Sequence, residues 1–84
     1  MDEPYGLSID GNNLFICDGK SGLKIYDVSN VLSPTIVNQL DSIHTYDIIL
    51  NNNMAFIVGN DGIYKYDYSN IKDLKLITSI PIQN

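Results

Sequence analysis

The sequence states the same pattern twice, and this repetition limits the fold more than any other feature. The segment LKIYDVSN at residues 23–30 returns as IYKYDYSN at residues 63–70, and NNLFI at 12–16 returns as NMAFI at 53–57. Corresponding residues lie 41 positions apart before the glycine turn of each copy (Phe15 to Phe56) and 40 apart after it (Asp27 to Asp67). A one-residue gap in that turn explains the change. A fixed period near 40 residues is typical of arrays built from small repeated units.

Each repeat is predicted to form four short strands. The first repeat has strands at 5–9, 14–17, 23–28 and 35–40, and the second at 46–50, 55–58, 63–68 and 75–80. Gly, Asn and Asp between them supply the positive backbone angles that tight turns need. The spacing is too short for intervening helices. We therefore expect one antiparallel four-stranded meander per repeat, at about residues 4–43 and 44–82 of a single unit spanning 1–84.

The strand sequences LFIC, DIIL and AFIV are apolar almost throughout. Strands with one wet face alternate instead, so these strands are expected to be covered on both faces, as in a propeller whose blades lie between neighbours. The predicted fold is all-β: two four-stranded antiparallel β-propeller blades, part of a larger propeller formed by oligomerisation or present as a fragment. Propellers close with about four to eight blades. The expected partners are therefore further copies of this chain, in a homo-oligomer that closes a ring, or missing blades of a longer chain.

Composition excludes several classes of function. The net charge is −5, with five Lys and no Arg, which argues against nucleic-acid binding because phosphate contacts need cationic donors. The start MDEPYG has no apolar stretch, so no signal peptide is expected, and no apolar run approaches the length of a membrane span. The single cysteine, Cys17, cannot form an intrachain disulfide and is expected to be a small buried hydrophobe.

The two copies resemble the LVIVD repeat of bacterial and archaeal β-propellers. The resemblance rests on LFICDGKSGLKIYDVSN at 14–30 and AFIVGNDGIYKYDYSN at 55–70, and it covers about residues 4–82. Four positions depart from the family pattern: Val31 stands where Pro is frequent, Tyr68 replaces Val, Ile71 replaces Pro, and Leu74 stands at the position of Pro34. The resemblance implies a secreted or cell-surface scaffolding propeller, with no shared catalytic residue to carry over.

Candidate catalytic and metal-binding groups are few. The only histidine, His44, has Asp41, Asp47, Ser42 and Cys17 as conceivable partners, but a triad is defined by geometry rather than spacing. A lone Cys and a lone His cannot build a zinc site within one chain. Oxygen-rich segments at 10–13, 18–19 and 60–62 lack the EF-hand spacing and are interpreted as turns. No cofactor is predicted.

Other polar and aromatic residues are assigned structural roles. Asp27 and Asp67, each just ahead of Ser-Asn, are expected to accept backbone N–H groups of the following turn, with Asn30 and Asn70 as the accompanying turn residues. The tyrosines 64, 66 and 68 alternate along one strand and therefore share a sheet face. That face is expected to pack against the neighbouring blade; exposed, it would be an aromatic binding platform.

The leading functional hypothesis is a non-enzymatic structural or interaction module that binds a protein or a glycan. Loops at the blade junctions, containing Tyr5 and His44, Thr45 and Tyr46, are the predicted contact points. An enzyme or metal site formed only in the closed oligomeric ring, with several copies of Asp47 or His44 around the channel, is the alternative. A fragment with no function of its own is a third possibility.

Overall fold

The structure is a computed structural model that describes residues 6–82. It confirms the all-β prediction, because the regular elements of this part of the chain are strands only. The eight strands are β1 (Gly6–Asp10), β2 (Asn13–Cys17), β3 (Leu23–Asp27), β4 (Thr35–Leu40), β5 (Thr45–Asn51), β6 (Met54–Gly59), β7 (Gly62–Asp67) and β8 (Lys75–Pro81). They form two antiparallel meanders, β1-β2-β3-β4 (the first sheet) and β5-β6-β7-β8 (the second sheet).

Two-residue turns close the first hairpin of each sheet. Gly11 begins the β1–β2 turn with a φ of 59°, the glycine-first arrangement of a type II′ turn. Asn52 and Asn53 close β5 and β6 with φ values of 51° and 62°, as a type I′ turn requires. Asn tolerates the left-handed region better than most residues because its side chain bonds locally, so both turns follow from the sequence at these positions.

The one-residue difference between the repeats lies in the turn between the second and third strands of each sheet. Cys17 pairs with Leu23 in the first sheet, and Val58 pairs with Ile63 in the second. Five residues (18–22) therefore separate the first pair and four (59–62) the second. Beyond this turn the sheets agree even in their irregularities, because both have a bulge after Ile25 or its counterpart Lys65.

Gly22 is required by this longer turn. Its φ is +84°, and a Cβ at this position would run into the carbonyl oxygen of Leu40. The carbonyl of Gly22 accepts the Asp18 N–H at 2.8 Å, and its own N–H donates to the Gly19 carbonyl at 3.0 Å. The turn is thus closed by backbone bonds in a conformation that side chains disfavour.

The two sheets stack face to face, and the core lies between them. Phe15, Cys17, Leu23 and Ile25 of the first sheet form one buried cluster with Ile48, Ala55, Ile57 and Tyr68 on the side of the second sheet. We call the two surfaces that meet here the inner faces. Tyr64 and Tyr66 pack against the same cluster, which confirms that the three alternating tyrosines share a face directed at the neighbouring sheet. The predicted burial of Cys17 is also confirmed.

Polar contacts fix the position of one sheet on the other. The Tyr68 hydroxyl donates to the Asp10 carboxylate at 2.6 Å, and the Asn38 side-chain amide donates to the Ile71 carbonyl at 3.1 Å. The Phe15 ring meets the Tyr68 ring edge-on, with 5.0 Å between centroids, a geometry that aromatic pairs prefer. The sheets therefore meet in a specific register rather than by apolar contact alone.

The expectation that the apolar strands are covered on both faces holds for only one face within this chain. Stacking two sheets creates one interface, and the residues that alternate with the core point away from it. Ile9 of β1 is 58% exposed and Ile49 of β5 is 63% exposed. Each sheet thus has an inner face that is buried around the core cluster and an outer face with exposed apolar residues, while every residue of β8 is exposed.

Candidate functional site

Both outer faces expose apolar residues, and strand pairing identifies their members. On the first sheet Leu7 pairs with Ile16, and Ile9 with Leu14, which in turn pairs with Tyr26. We call this the first outer face. On the second sheet Ile49 pairs with Phe56 and Phe56 with Lys65, while Val58 pairs with Ile63 and Ile63 with Ile80; these residues form the second outer face. Both faces are mainly aliphatic and aromatic, and the first also carries Lys24, which pairs with Ile16.

The first outer face contains a hollow of about 250 Å³. It is lined by Leu14, Ile16, Tyr26, Val28 and Pro34, and we call it the Tyr26 hollow. An apolar cavity of about 150 Å³ suffices to hold benzene, so the hollow has room for one aromatic side chain.

The second outer face is centred on Phe56 rather than on a depression. The Lys65 ammonium nitrogen lies 5.7 Å from the centre of the Phe56 ring, within the range of a cation–π interaction. Lys65 stands at the position that Ile25 occupies in the first sheet, where the isoleucine is fully buried. The second outer face is therefore an apolar surface with one cationic group near its middle.

The predicted contact residues at the sheet junction have different surroundings. Tyr46 is exposed, and its ring lies against that of His44 with 4.8 Å between centroids. Thr45 is fully buried; its hydroxyl donates to the Gly22 carbonyl at 2.9 Å and its N–H to the Gly19 carbonyl at 3.0 Å. A buried side chain presents nothing to a partner, so Thr45 joins the sheets here. Tyr5 lies outside the described residues.

The predicted turn residues accept hydrogen bonds from the backbone that follows them. Asp27 and Asp67 each accept the N–H of the serine two positions on, at 2.8 Å. These bonds, reinforced by the serine side chains, hold the pKa of both carboxyls below its usual value. Asn30 and Asn70 likewise accept the N–H two positions on, at 3.1 and 3.2 Å.

In two of the oxygen-rich turns, the aspartate carboxylates accept hydrogen bonds from other side chains of the protein. Asp18 is fully buried and accepts a 2.7 Å bond from the Lys24 ammonium group. Asp61 accepts a 2.6 Å bond from the Tyr64 hydroxyl, which raises the pKa of that phenol. Among residues 6–82, His, Cys, Asp and Glu nowhere gather in a group of three placed to hold a metal ion.

The Cys17 thiol is protonated at neutral pH. Burial raises its pKa to about 11, although a hydrogen bond with Thr45 acts in the opposite direction. The thiolate is the reactive form of cysteine, so Cys17 lacks the environment of a catalytic nucleophile.

Comparison with known proteins returned no matching family model, no matching curated protein and no matching solved structure. The LVIVD resemblance therefore stays a prediction from the residues. In the described part of the chain, no helix has the length and apolar character needed to cross a membrane.

Sequence reasoning missed the Tyr26 hollow and the partial exposure of Phe56 on the second outer face. The available signal was the alignment of the two copies. The alignment matches Phe56 with Phe15, which is a core residue, and it matches Leu14 with Ala55, which is much smaller.

Proposed function

We propose that this chain is a non-enzymatic interaction module, a pair of β-propeller blades that binds protein partners through its outer sheet faces. The observation that carries the proposal is that both sheets expose an apolar outer face, with Ile9 on one side of the molecule and Ile49 on the other. Large exposed apolar patches on soluble proteins mark interaction sites.

The size of these faces supports the proposal. A four-stranded face with about five residues per strand measures roughly 300 Å², from the strand spacing and rise. At about 25 cal/mol per Å², covering one such face releases on the order of 7–8 kcal/mol before the costs of association. This is similar to the whole net stability of a small domain, about 5–15 kcal/mol. A partner that covers an outer face therefore has a substantial driving force.

The repeat pattern supports the propeller part of the proposal. Each sheet is a four-stranded meander. The two sheets stack through faces that do not correspond in the repeat, so that one face of the first sheet packs against the opposite face of the second, as in successive blades. The LVIVD resemblance points in the same direction and implies a secreted or cell-surface scaffolding role.

The His44–Tyr46 ring pair favours a glycan as a second class of ligand. Exposed aromatic rings offer flat apolar surfaces with a polar edge, which suits the apolar face of a sugar. Replacing Tyr46 with Ala should abolish glycan-array binding if this pair is used, whereas unchanged array binding would exclude it.

The proposal is tested with immobilised protein and matched variants. Ile9→Asp and Ile49→Asp place a charge on exposed positions of the two outer faces, while Leu32→Asp makes the same change on a loop residue that is 93% exposed. We expect the wild type and Leu32→Asp to retain the same protein partners, identified by mass spectrometry, and the face variants to lose them. Equal retention by all four proteins would contradict binding through the outer faces.

A further inference from the structure

We propose that the partner of these faces is a second copy of this chain, bound head to tail, with Phe56 of one copy seated in the Tyr26 hollow of the next. This inference rests on the proposed function and names the occupant of its site. It follows from comparing the interface inside the molecule with the two surfaces left outside it.

Inside the molecule, the first sheet presents Phe15 to the second. Phe15 is fully buried and meets the Tyr68 ring edge-on. The second sheet contributes Ala55 and Ile57 to the same cluster, and Tyr66 and Leu74 pack against it. An aromatic residue of β2 thus enters a site formed by the inner face of the second sheet.

The Tyr26 hollow is the repeat counterpart of that site. With the offset of 41 before the glycine turn, Leu14 and Ile16 correspond to Ala55 and Ile57. With the offset of 40 after it, the remaining lining residues Tyr26, Val28 and Pro34 correspond to Tyr66, Tyr68 and Leu74. All five lining residues therefore map onto residues that surround or support the buried cluster around Phe15. The hollow is open on the first outer face, where no residue of the described chain fills it.

The counterpart of the inserted residue lies on the opposite side of the molecule. Phe56 corresponds to Phe15 with the offset of 41 and is only partly buried on the second outer face. The molecule thus has a partly exposed aromatic residue on one outer face and an unfilled site of matching type on the other. A second copy docked head to tail repeats the internal interface. Such a heterologous contact gives a closed ring if its rotation closes and a filament if it does not.

A polar contact of the internal interface can also be repeated. The Asn38 amide donates to the Ile71 carbonyl across the two sheets at 3.1 Å. The corresponding residues are Thr78, whose hydroxyl is a donor, and Val31, both exposed. The Tyr68–Asp10 bond has no counterpart, because Val28 stands in place of the tyrosine.

Three substitutions weaken the predicted contact relative to the internal one. Val28 replaces Tyr68 and removes the bond to Asp10. Lys24 stands in place of Tyr64 and pairs with Ile16 of the hollow, and the third substitution lies on the second outer face. Lys65 replaces Ile25, so docking must remove an ammonium group from water, which is costly without an ionic partner. We therefore expect reversible association that depends on concentration. Lys65→Ile restores the residue of the internal interface and is expected to tighten association about tenfold or more, since each 1.4 kcal/mol changes a dissociation constant by a factor of ten.

Sedimentation velocity over about 10 µM to about 1 mM, a range chosen for weak complexes, tests the inference. We expect the wild type and Leu32→Asp to associate with rising concentration and Lys65→Ile to associate at lower concentration. Ile9→Asp, beside the hollow, and Ile49→Asp, beside Phe56, should each be monomeric. Mixed together they should form a one-to-one dimer, because each retains the surface that the other has lost. Both positions are exposed, so neither change should disturb the monomer.

Two results would overturn the inference. One is self-association by Ile9→Asp or Ile49→Asp alone, which indicates a contact between like faces. The other is a monomer for both the wild type and Lys65→Ile throughout the range. In either case the partner-retention experiment with the same variants decides the proposed function separately, because it does not depend on the partner being a second copy.

Discussion

At the scale of single residues, the structure depends on a few buried polar groups at the junction of the sheets. Thr45 bonds to the backbone of the turn that contains Gly22, and Asp18 in that turn is buried against Lys24. Cys17 lies next to them in the core and bonds to Thr45. Each group has a partner, and buried polar groups are expensive only when a partner is missing.

Cys17 is expected to make the protein sensitive to alkali. Its folded pKa of about 11 lies above the ordinary value of 9.0, so the protonated thiol stabilises the folded state below pH 9. This contribution is lost as the pH rises from about 9 to about 11, because only the unfolded chain ionises readily there. Melting temperatures from pH 7 to pH 11 should fall less for Cys17→Val, which introduces the residue found at the corresponding Val58.

Tyr68 is present in both the wild type and Cys17→Val, so its titration contributes to the alkaline fall in melting temperature of both proteins. Burial and the bond to Asp10 raise the pKa of its phenol to about 12, so its contribution is lost only above about pH 10. An identical alkaline decline in the wild type and Cys17→Val would show that the thiol does not titrate as expected.

Asp67 is expected to affect the acid side. Its carboxylate accepts bonds from the Ser69 N–H and hydroxyl, and its folded pKa is lowered. The stabilisation is therefore present above the ordinary pKa of 3.8 and is lost as the pH falls through the lower folded value. Asp67→Asn should melt at a lower temperature than the wild type at pH 7, and the gap should narrow toward pH 3. A constant gap across this range would contradict the assignment.

At the scale of the elements, turns determine the registers of both sheets. Short hairpins fix which residues pair across the strands. The turn at 18–22 is one residue longer than its counterpart in the second sheet, but the extra residue stays within the turn, and Cys17 still pairs with Leu23 at its base. The sheets can thus differ in turn length and still present corresponding faces.

Gly22 and Gly11 offer a matched pair of changes. Both have positive φ, but a Cβ at Gly11 meets nothing within 4 Å, whereas one at Gly22 meets the Leu40 carbonyl. Gly11→Ala should lower the free energy of unfolding by about 1–3 kcal/mol, the cost of a sparsely populated positive-φ conformation for a residue with a side chain. Gly22→Ala should cost clearly more because β4 must move. Urea unfolding measures both values, and equal losses would mean that the turn yields without disturbing β4.

At the scale of the whole molecule, the two phenylalanines at corresponding positions have different surroundings. Phe15 is sealed between the sheets, and Phe56 lies on the second outer face beside Lys65. The difference arises because two sheets create only one interface. Each sheet covers its inner face at that interface and leaves its outer face uncovered.

Replacing each phenylalanine with Ala separates stability from association. Phe15→Ala should lower the free energy of unfolding by about 3–5 kcal/mol, as expected for a buried aromatic residue. Phe56→Ala should cost the monomer much less and should weaken self-association in sedimentation velocity. A loss of stability from Phe56→Ala equal to that from Phe15→Ala, measured at low concentration, would mean that Phe56 belongs to the monomer core.

Much of the local structure was predictable from the sequence. The strand predicted at 23–28 is observed at Leu23–Asp27, and the one predicted at 46–50 at Thr45–Asn51. These predictions succeed because Gly, Asn and Asp interrupt the apolar runs where turns are needed. Connections this short also leave adjacent strands little choice but to pair antiparallel.

The sequence by itself determined the eight strands, the two meanders and the residues that share each face, since these depend on local turn geometry and on alternation along a strand. Only the tertiary structure decided which apolar face is covered, because both faces of each sheet have a similar composition. The burial of Thr45, the Asp18–Lys24 pair and the open Tyr26 hollow follow from that choice. They join residues distant in sequence, and no local pattern encodes which of two apolar surfaces meets the other sheet.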